Sequence, residues 1–199
     1  MYLVYMKTRI YLARHGETLW NKTQRLQGQL DSKLTPLGKT QSVEVANKLA
    51  SKNIDLIISS SLGRALESAY ICQQKLNISH QISINLMERN LGSWQGQEIS
   101  TLNILPEYDE MLHQVTLLQI NSAESALACG QRIFNTLKQL ANKHLGQNLL
   151  VIFHGEALRC LLFLLGKKAT NNAFSLYKNG CIVTLDFQPK APYLTIISE

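Results

Sequence analysis

No two of the four cysteines stand at a spacing that would close a metal site or a redox pair. Cys72, Cys129, Cys160 and Cys181 are scattered, with no C-x-x-C and no His–Cys ligand spacing. That excludes a zinc ribbon and a disulfide framework, and it predicts reduced, buried thiols. Four prolines and 11 glycines form no linker, and no internal repeat or low-complexity tract divides the chain. The expectation is a single domain over residues 1–199. Long apolar runs are missing too: Leu161–Leu165 is too short to cross a bilayer and is followed by Gly166, a helix stop. The N-terminus lacks a signal peptide's apolar region, and Met6-Lys7-Thr8-Arg9 would make a natural second start, with residues 1–5 an extension. Both features point to a cytoplasmic protein and away from a membrane. The net charge is +6, yet the basic residues form no block and no aromatic-interleaved stripe, which argues against a nucleic-acid partner. A solvated basic surface that helps attract phosphorylated metabolites is the simpler reading. A hydrophobic content of 45% excludes wholesale disorder.

What the chain does have is an alternation of strand and helix signals. Apolar runs at Ile10–Ala13, Ile54–Ile58, Ile82–Leu86 and Leu149–Phe153 read as strands. Thr35-Pro36 is an N-cap with proline at the first helical position, followed by Leu37, Val45, Ala46, Leu49 and Ala50 at helical spacing. A second helix carries Leu62, Leu66, Ala69 and Leu76. A third, from about Ser122 to Leu145, lines up Leu127, Ile133, Phe134, Leu137 and Leu140, and a fourth spans Glu156–Leu165. Cys181–Phe187 and Tyr193–Ile197 flank a proline-containing turn and read as a hairpin. The predicted fold class is α/β: a three-layer α/β/α sandwich with a mainly parallel sheet and a late edge hairpin.

The ends of those strands carry the chemistry. The first runs into Arg14-His15-Gly16-Glu17-Thr18, the second into a Ser-rich turn and Arg64, the third into Glu88 and the fourth into His154-Gly155. Ligands of open α/β sheets bind at the carboxyl edge, so two histidines, two arginines and a glutamate are expected at one place. Gly16 would allow a sharp turn and close approach of backbone to a ligand. Phosphoryl transfer through a covalent phosphohistidine needs this set. Arg14 and Arg64 can hold phosphate oxygens in bidentate fashion. A neutral His15 offers a ring nitrogen as nucleophile, and nearby guanidinium groups disfavour its protonation. His154 can donate to the equatorial oxygens, and a helix starting near Gly155 would add backbone N–H groups and the positive end of its dipole. Glu88 suits a proton donor to the departing alkoxide and a base for the attacking water.

Over nearly its whole length the chain resembles the histidine phosphatase superfamily, on its phosphoglycerate mutase-like branch. The likeness rests on Arg14-His15-Gly16-Glu17-Thr18 with Asn21, on Gln27-Gly28, Leu34-Thr35 and Gly38, on Ser59–Ala65, on Glu88 with Leu91–Gly96, and on His154-Gly155. It implies that His15 is the phosphorylated nucleophile and Glu88 the proton donor. Arg14, Arg64, His154 and Asn21 would be phosphate ligands, Gln27, Gly28 and Gly155 would border the pocket, and no metal or other cofactor would be needed. The chain departs from the family pattern at Phe153 and at Glu156, whose carboxylate should point away from a phosphate and leave only its N–H nearby. Ala123-Glu124-Ser125 resembles the family's Gly-Glu-Ser segment and receives no catalytic role.

No Lys or Arg occurs between Arg89 and Arg132, whereas Glu98, Glu107, Asp109, Glu110 and Glu124 do. By position this stretch is a lid, and by resemblance it carries substrate specificity. Phosphoglycerate mutases place cations there and a tyrosine where this chain has Leu91. An acidic lid bearing Leu102, Ile104, Leu105, Met111, Leu112, Leu117 and Leu118 suits a less anionic leaving group. The expected activity is a metal-independent phosphomonoester phosphatase acting on a small phosphorylated metabolite. The alternatives are a phosphoglycerate mutase, an α-ribazole phosphate or sugar bisphosphate phosphatase, and a non-catalytic phosphate-binding module.

Overall fold

The computed structural model describes residues 7–168 and 171–198; Met6 and the proposed extension before it lie outside them. The elements run β1 (Thr8–Arg14), α1 (Leu19–Lys22), α2 (Pro36–Leu49), β2 (Leu56–Ser60), α3 (Gly63–Leu76) and β3 (His80–Ser83). There follow α4 (Ile99–Leu102), α5 (Tyr108–His113), α6 (Ala126–Lys143), β4 (Asn148–Phe153), α7 (Gly155–Leu164), α8 (Ala173–Leu176), β5 (Ile182–Phe187) and β6 (Leu194–Ser198). The strands form one sheet in the order β3-β2-β4-β1-β5-β6. The β3–β2, β2–β4 and β4–β1 pairs are parallel, and β5 and β6 close one side as an antiparallel hairpin.

The two-residue period of the strands decides the layers. Ile10, Leu12, Leu149, Val151 and Phe153 pack with Ile133, Leu137, Leu158 and Leu161 of α6 and α7. Tyr11, Ala13, Leu150 and Ile152 face the other way, onto Val45, Ala46, Leu49, Ala65 and Ala69 of α2 and α3. A continuous apolar run such as Leu149–Phe153 is therefore what a strand covered on both sides requires. The result is the expected three-layer sandwich with its edge hairpin. No helix among the described residues is long and apolar enough to cross a membrane.

Several local expectations need correction. The third strand covers only His80–Ser83, and Ile84–Leu86 is a 3-10 turn. It is an edge strand with Ile82 and Ile84 exposed, so the apolar pattern there did not signal burial. Helix α6 starts at Ala126 and not near Ser122, because Ser125 caps it by accepting the Ala128 N–H. In α3 the buried stripe is Arg64, Ala65, Ser68, Ala69 and Cys72, not the leucines at 62, 66 and 76. Polar side chains occupy that stripe because it faces the end of β1. Leu37 is exposed in α2, and the Thr35 cap with Pro36 behind it stands as expected. Cys72, Cys129 and Cys160 are buried and free, whereas Cys181 is partly exposed.

Candidate active site

Strands β1 and β4 are neighbours, but the helices that follow them leave to opposite faces of the sheet. That divergence opens a crevice at their carboxyl ends, the place where such sheets bind ligands. The register pairs Arg14 with Phe153, so His15 and His154 emerge side by side, their ring centroids 5.3 Å apart. The crevice is lined by Arg14, His15, Asn21, Leu26, Gln27, Gly28, Arg64, Glu88, Leu91, Gly155, Glu156 and Ala173. Eight of the nine residues proposed from sequence are in that lining. The ninth, His154, is fully buried beside His15.

His15 Nδ1 lies 2.7 Å from the Gly16 carbonyl oxygen, which places the ring proton on Nδ1. The Nε2 lone pair accepts from Arg64 Nε at 3.2 Å. Burial first, then the charges of Arg64 and Arg14, hold this imidazole well below its usual range, so it is neutral at neutral pH. Asn179, which gave no local signal in the sequence, donates to the His15 carbonyl at 3.0 Å and to Asn21 Oδ1 at 3.1 Å. Asn21 Oδ1 also accepts the Thr18 N–H, and its buried Nδ2 has no partner among the described residues. An oxyanion in the crevice would give it one.

Arg64 is fixed from several sides. It donates to the carbonyls of Leu30 at 2.8 Å and Gly28 at 2.7 Å, and to Asp31 Oδ1 at 3.2 Å. Asp31 in turn accepts the N–H groups of Gly63 and Arg64 and so caps α3. Sequence reasoning missed Asp31, although it follows Gly28 by three residues. Arg14 donates to the Tyr177 carbonyl. A Cβ on Gly155 would sit 3.1 Å from Arg14 Cζ, so this glycine makes room for the guanidinium. Gly16 has a different use from the one expected: its missing Cβ would fall on the Gly38 carbonyl, so the close approach is to α2 and not to a ligand.

His154 Nε2 is 2.7 Å from Ser60 Oγ, which accepts the Leu62 N–H. Either ring tautomer satisfies this contact, because the hydroxyl can donate to Nε2 or accept from it; Nδ1 has no partner among the described residues and, where it carries the proton, is free to donate to a ligand. Burial, then the charges of Arg64 and Arg14, keep this ring neutral as well.

Glu88 occupies the N-terminus of α7. Its Oε1 accepts the N–H groups of Arg89 at 2.9 Å and Ala157 at 2.8 Å, and its Oε2 accepts that of Glu156 at 3.1 Å. The α7 N–H groups of Glu156 and Ala157 thus go to a carboxylate, a correction to the expectation that this end would serve a phosphate. Burial, and next the charge of Glu156, raise the proton affinity of Glu88, while Arg64 and the Arg89 and Ala157 N–H groups oppose them. The Glu156 side chain turns away as expected, onto Arg159 and Arg89. Glu124 pairs with Arg132 at 2.7–2.8 Å, and Arg132 holds the carbonyls of Asn85 and Met87 just before Glu88. The Glu-Ser segment thus serves through its packing.

The lid needs the largest correction. Leu102, Met111 and Leu112 are buried with Leu26, Leu91 and Trp94 in a small core of their own, and Leu118 packs on it. Ile104, Leu105 and Leu117 are exposed. Of this segment only Leu91 reaches the crevice wall. Among the described residues no group of three or more His, Cys, Asp or Glu side chains could hold a metal ion.

The sequence matches the family model of the histidine phosphatase superfamily (branch 1) over residues 10–199. It is 34% identical over 190 residues to the probable phosphoglycerate mutase GpmB of Yersinia pestis, covering 93% of this chain and 87% of that one. Among solved structures it is similar to Bacillus stearothermophilus YhfR, with a TM-score of 0.84, 25% identity and 96% of each chain covered. It is also similar to the mycobacterial glucosyl-3-phosphoglycerate phosphatase in complex with VO3, with a TM-score of 0.82, 25% identity, and 96% of this chain and 97% of that one covered. The sheet, the paired histidines and these likenesses agree, and the chain belongs to the histidine phosphatase superfamily.

Proposed function

We propose that this protein is a phosphomonoester phosphatase that works through a phosphohistidine on His15 and needs no metal ion. The observation that carries the reading is the state of His15: a neutral ring, its proton committed to the Gly16 carbonyl, with Nε2 at a crevice that also holds two guanidinium groups and the Glu88 carboxyl. In the first step the Nε2 lone pair forms a bond to phosphorus, the P–O ester bond breaks, and Glu88 gives its proton to the departing oxygen. Arg14, Arg64, the Asn21 amide and the His154 Nδ1–H take the developing charge on the phosphoryl oxygens. In the second step water attacks phosphorus, its proton passes to Glu88, and the P–N bond breaks to restore the His15 lone pair. Three of roughly four acceptor positions on Glu88 are filled by backbone N–H groups, which leaves one on Oε2 for the proton it hands over.

Hydrolysis is favoured over transfer back to a second hydroxyl by the charge of the crevice. Its lining contains no cation beyond Arg14 and Arg64 among the described residues, and both are assigned to the phosphoryl group. Leu26, Leu91 and Ala173 form the rest of the wall, which suits the alcohol of a small metabolite with little negative charge of its own. The mutase reading keeps its place because a relative 34% identical is named a probable phosphoglycerate mutase. The test is direct. Purified protein should hydrolyse p-nitrophenyl phosphate in excess EDTA, His15→Ala should abolish that activity, and 3-phosphoglycerate with 2,3-bisphosphoglycerate should yield inorganic phosphate faster than 2-phosphoglycerate. Faster interconversion would establish the mutase, and an active His15→Ala protein would end the phosphohistidine reading.

A further inference from the structure

Behind Glu88 lies a buried ionic group that the reaction as described does not use. Glu156 is 6% exposed, and Arg89 and Arg159 are 1% exposed each. Arg159 grips both oxygens of Glu156 at 3.0 Å, and Arg89 NH1 lies 3.5 Å from Oε2. The backbone of the same residue donates to Glu88 Oε2. A charge buried this deeply is costly, and replacing such a group with apolar side chains often stabilises a protein. Its presence here therefore asks for a use, and the sequence had already marked Glu156 as a departure from the family pattern.

We propose that Glu156 is a positioning residue for the acid: its carboxylate, fixed by Arg159 and Arg89, keeps the proton on Glu88 until the ester oxygen leaves. The reading rests on Glu88 as proton donor. The charges around Glu88 make the requirement plain. Arg64 from α3, Arg14 from the end of β1 and Arg132 from α6 all interact with it and favour its ionised form, as do the backbone N–H groups it accepts. His15 and His154 are neutral. Asp31 and Glu124 are paired with Arg64 and Arg132, and Glu156 is the carboxylate that, with burial, opposes the arginines most strongly. Burial works against the ionised form of Glu156 itself, but Arg159 and Arg89 outweigh it and hold Glu156 below the usual carboxylate range. A fixed anion thus stands at the back of a group that must stay protonated near neutral pH.

The experiment compares the alkaline limb of kcat/KM on β-glycerophosphate, whose alkoxide needs a proton, with that on p-nitrophenyl phosphate, whose leaving group does not. Removing the negative charge in Glu156→Gln makes Glu88 lose its proton at lower pH. The limb on β-glycerophosphate should move down by roughly one pH unit, the effect of one nearby like charge, and the p-nitrophenyl phosphate limb should stay. Because Glu156→Gln leaves two arginines undercompensated, Glu156→Leu/Arg159→Leu serves as a second variant that removes one charge of each sign and leaves Arg89 on the Glu124 and Met111 carbonyls. Its limb should also move down, since of the two charges removed Glu156 is the one that acts strongly on Glu88. A limb that stays put in a folded variant overturns the proposal, and so does an equal loss on both substrates at every pH, which would reduce Glu156 to a packing role. Glu88→Gln measured in parallel separates the two levels: if it spares β-glycerophosphate, the assignment of the acid fails first.

Discussion

Replacing Glu88 by glutamine changes one atom at a site where three backbone N–H groups meet a carboxyl group. With the amide oxygen at the Oε1 position, the bonds to the Arg89 and Ala157 N–H groups at 2.9 and 2.8 Å survive. The amide nitrogen then meets the Glu156 N–H, formerly 3.1 Å from Oε2, donor to donor. One lost bond and a buried donor without an acceptor cost about 1–3 kcal/mol. The variant should therefore fold, with a melting temperature lower by a few degrees. Its chemistry should suffer far more. Loss of a general acid costs on the order of 10²–10⁴ in rate, or about 2.7–5.5 kcal/mol of transition-state stabilisation. The assay is kcat/KM, which covers the steps up to departure of the leaving group. On β-glycerophosphate it should fall by that factor. On p-nitrophenyl phosphate it should fall much less, and a burst of p-nitrophenolate should appear because the water step has lost its base. Equal losses on both substrates would refute the reasoning and make Glu88 a structural cap of α7.

Two further outcomes follow from the same geometry. Gly16→Ala should destabilise the protein by about 3 kcal/mol or more, because the new Cβ meets the Gly38 carbonyl and backbone cannot yield as a side chain can; a melting temperature within a degree of the parent would contradict this. Asp31→Ala should raise KM roughly tenfold, the worth of one charge-assisted hydrogen bond on Arg64, and should weaken vanadate inhibition in step; an unchanged vanadate affinity would show that Gly28 and Leu30 hold Arg64 unaided.

Most of the site was legible because its residues follow strands, and strands announce themselves by apolar runs. Arg14, His15 and His154 needed only the positions of Ile10–Ala13 and Leu149–Phe153, which the sheet reproduces with small shifts of boundary. Glu88 was found although its strand was drawn too long, since the error lay upstream of it. The positioning residues were invisible for a physical reason. Asp31, Ser60 and Asn179 act through bonds to partners 33, 94 and 164 residues away, and no local pattern encodes such pairings. The lid misled for the opposite reason: a run of leucines looks the same whether it covers a ligand or builds a small core around Trp94.

The strand order has a consequence for how the protein comes into being. In the sheet β4 lies between β1 and β2, which do not touch each other as strands, yet it is the last of the three to leave the ribosome. The bond from Arg64 to His15 joins residues that follow β2 and β1, so the two sides of the crevice gain their spacing only when residues 148–153 insert between them. Such pairing of distant segments is slow compared with local helix formation. A nascent chain therefore carries Arg14 and Arg64 without a complete crevice until β4, and after it Ala173, Tyr177 and Asn179, have been made.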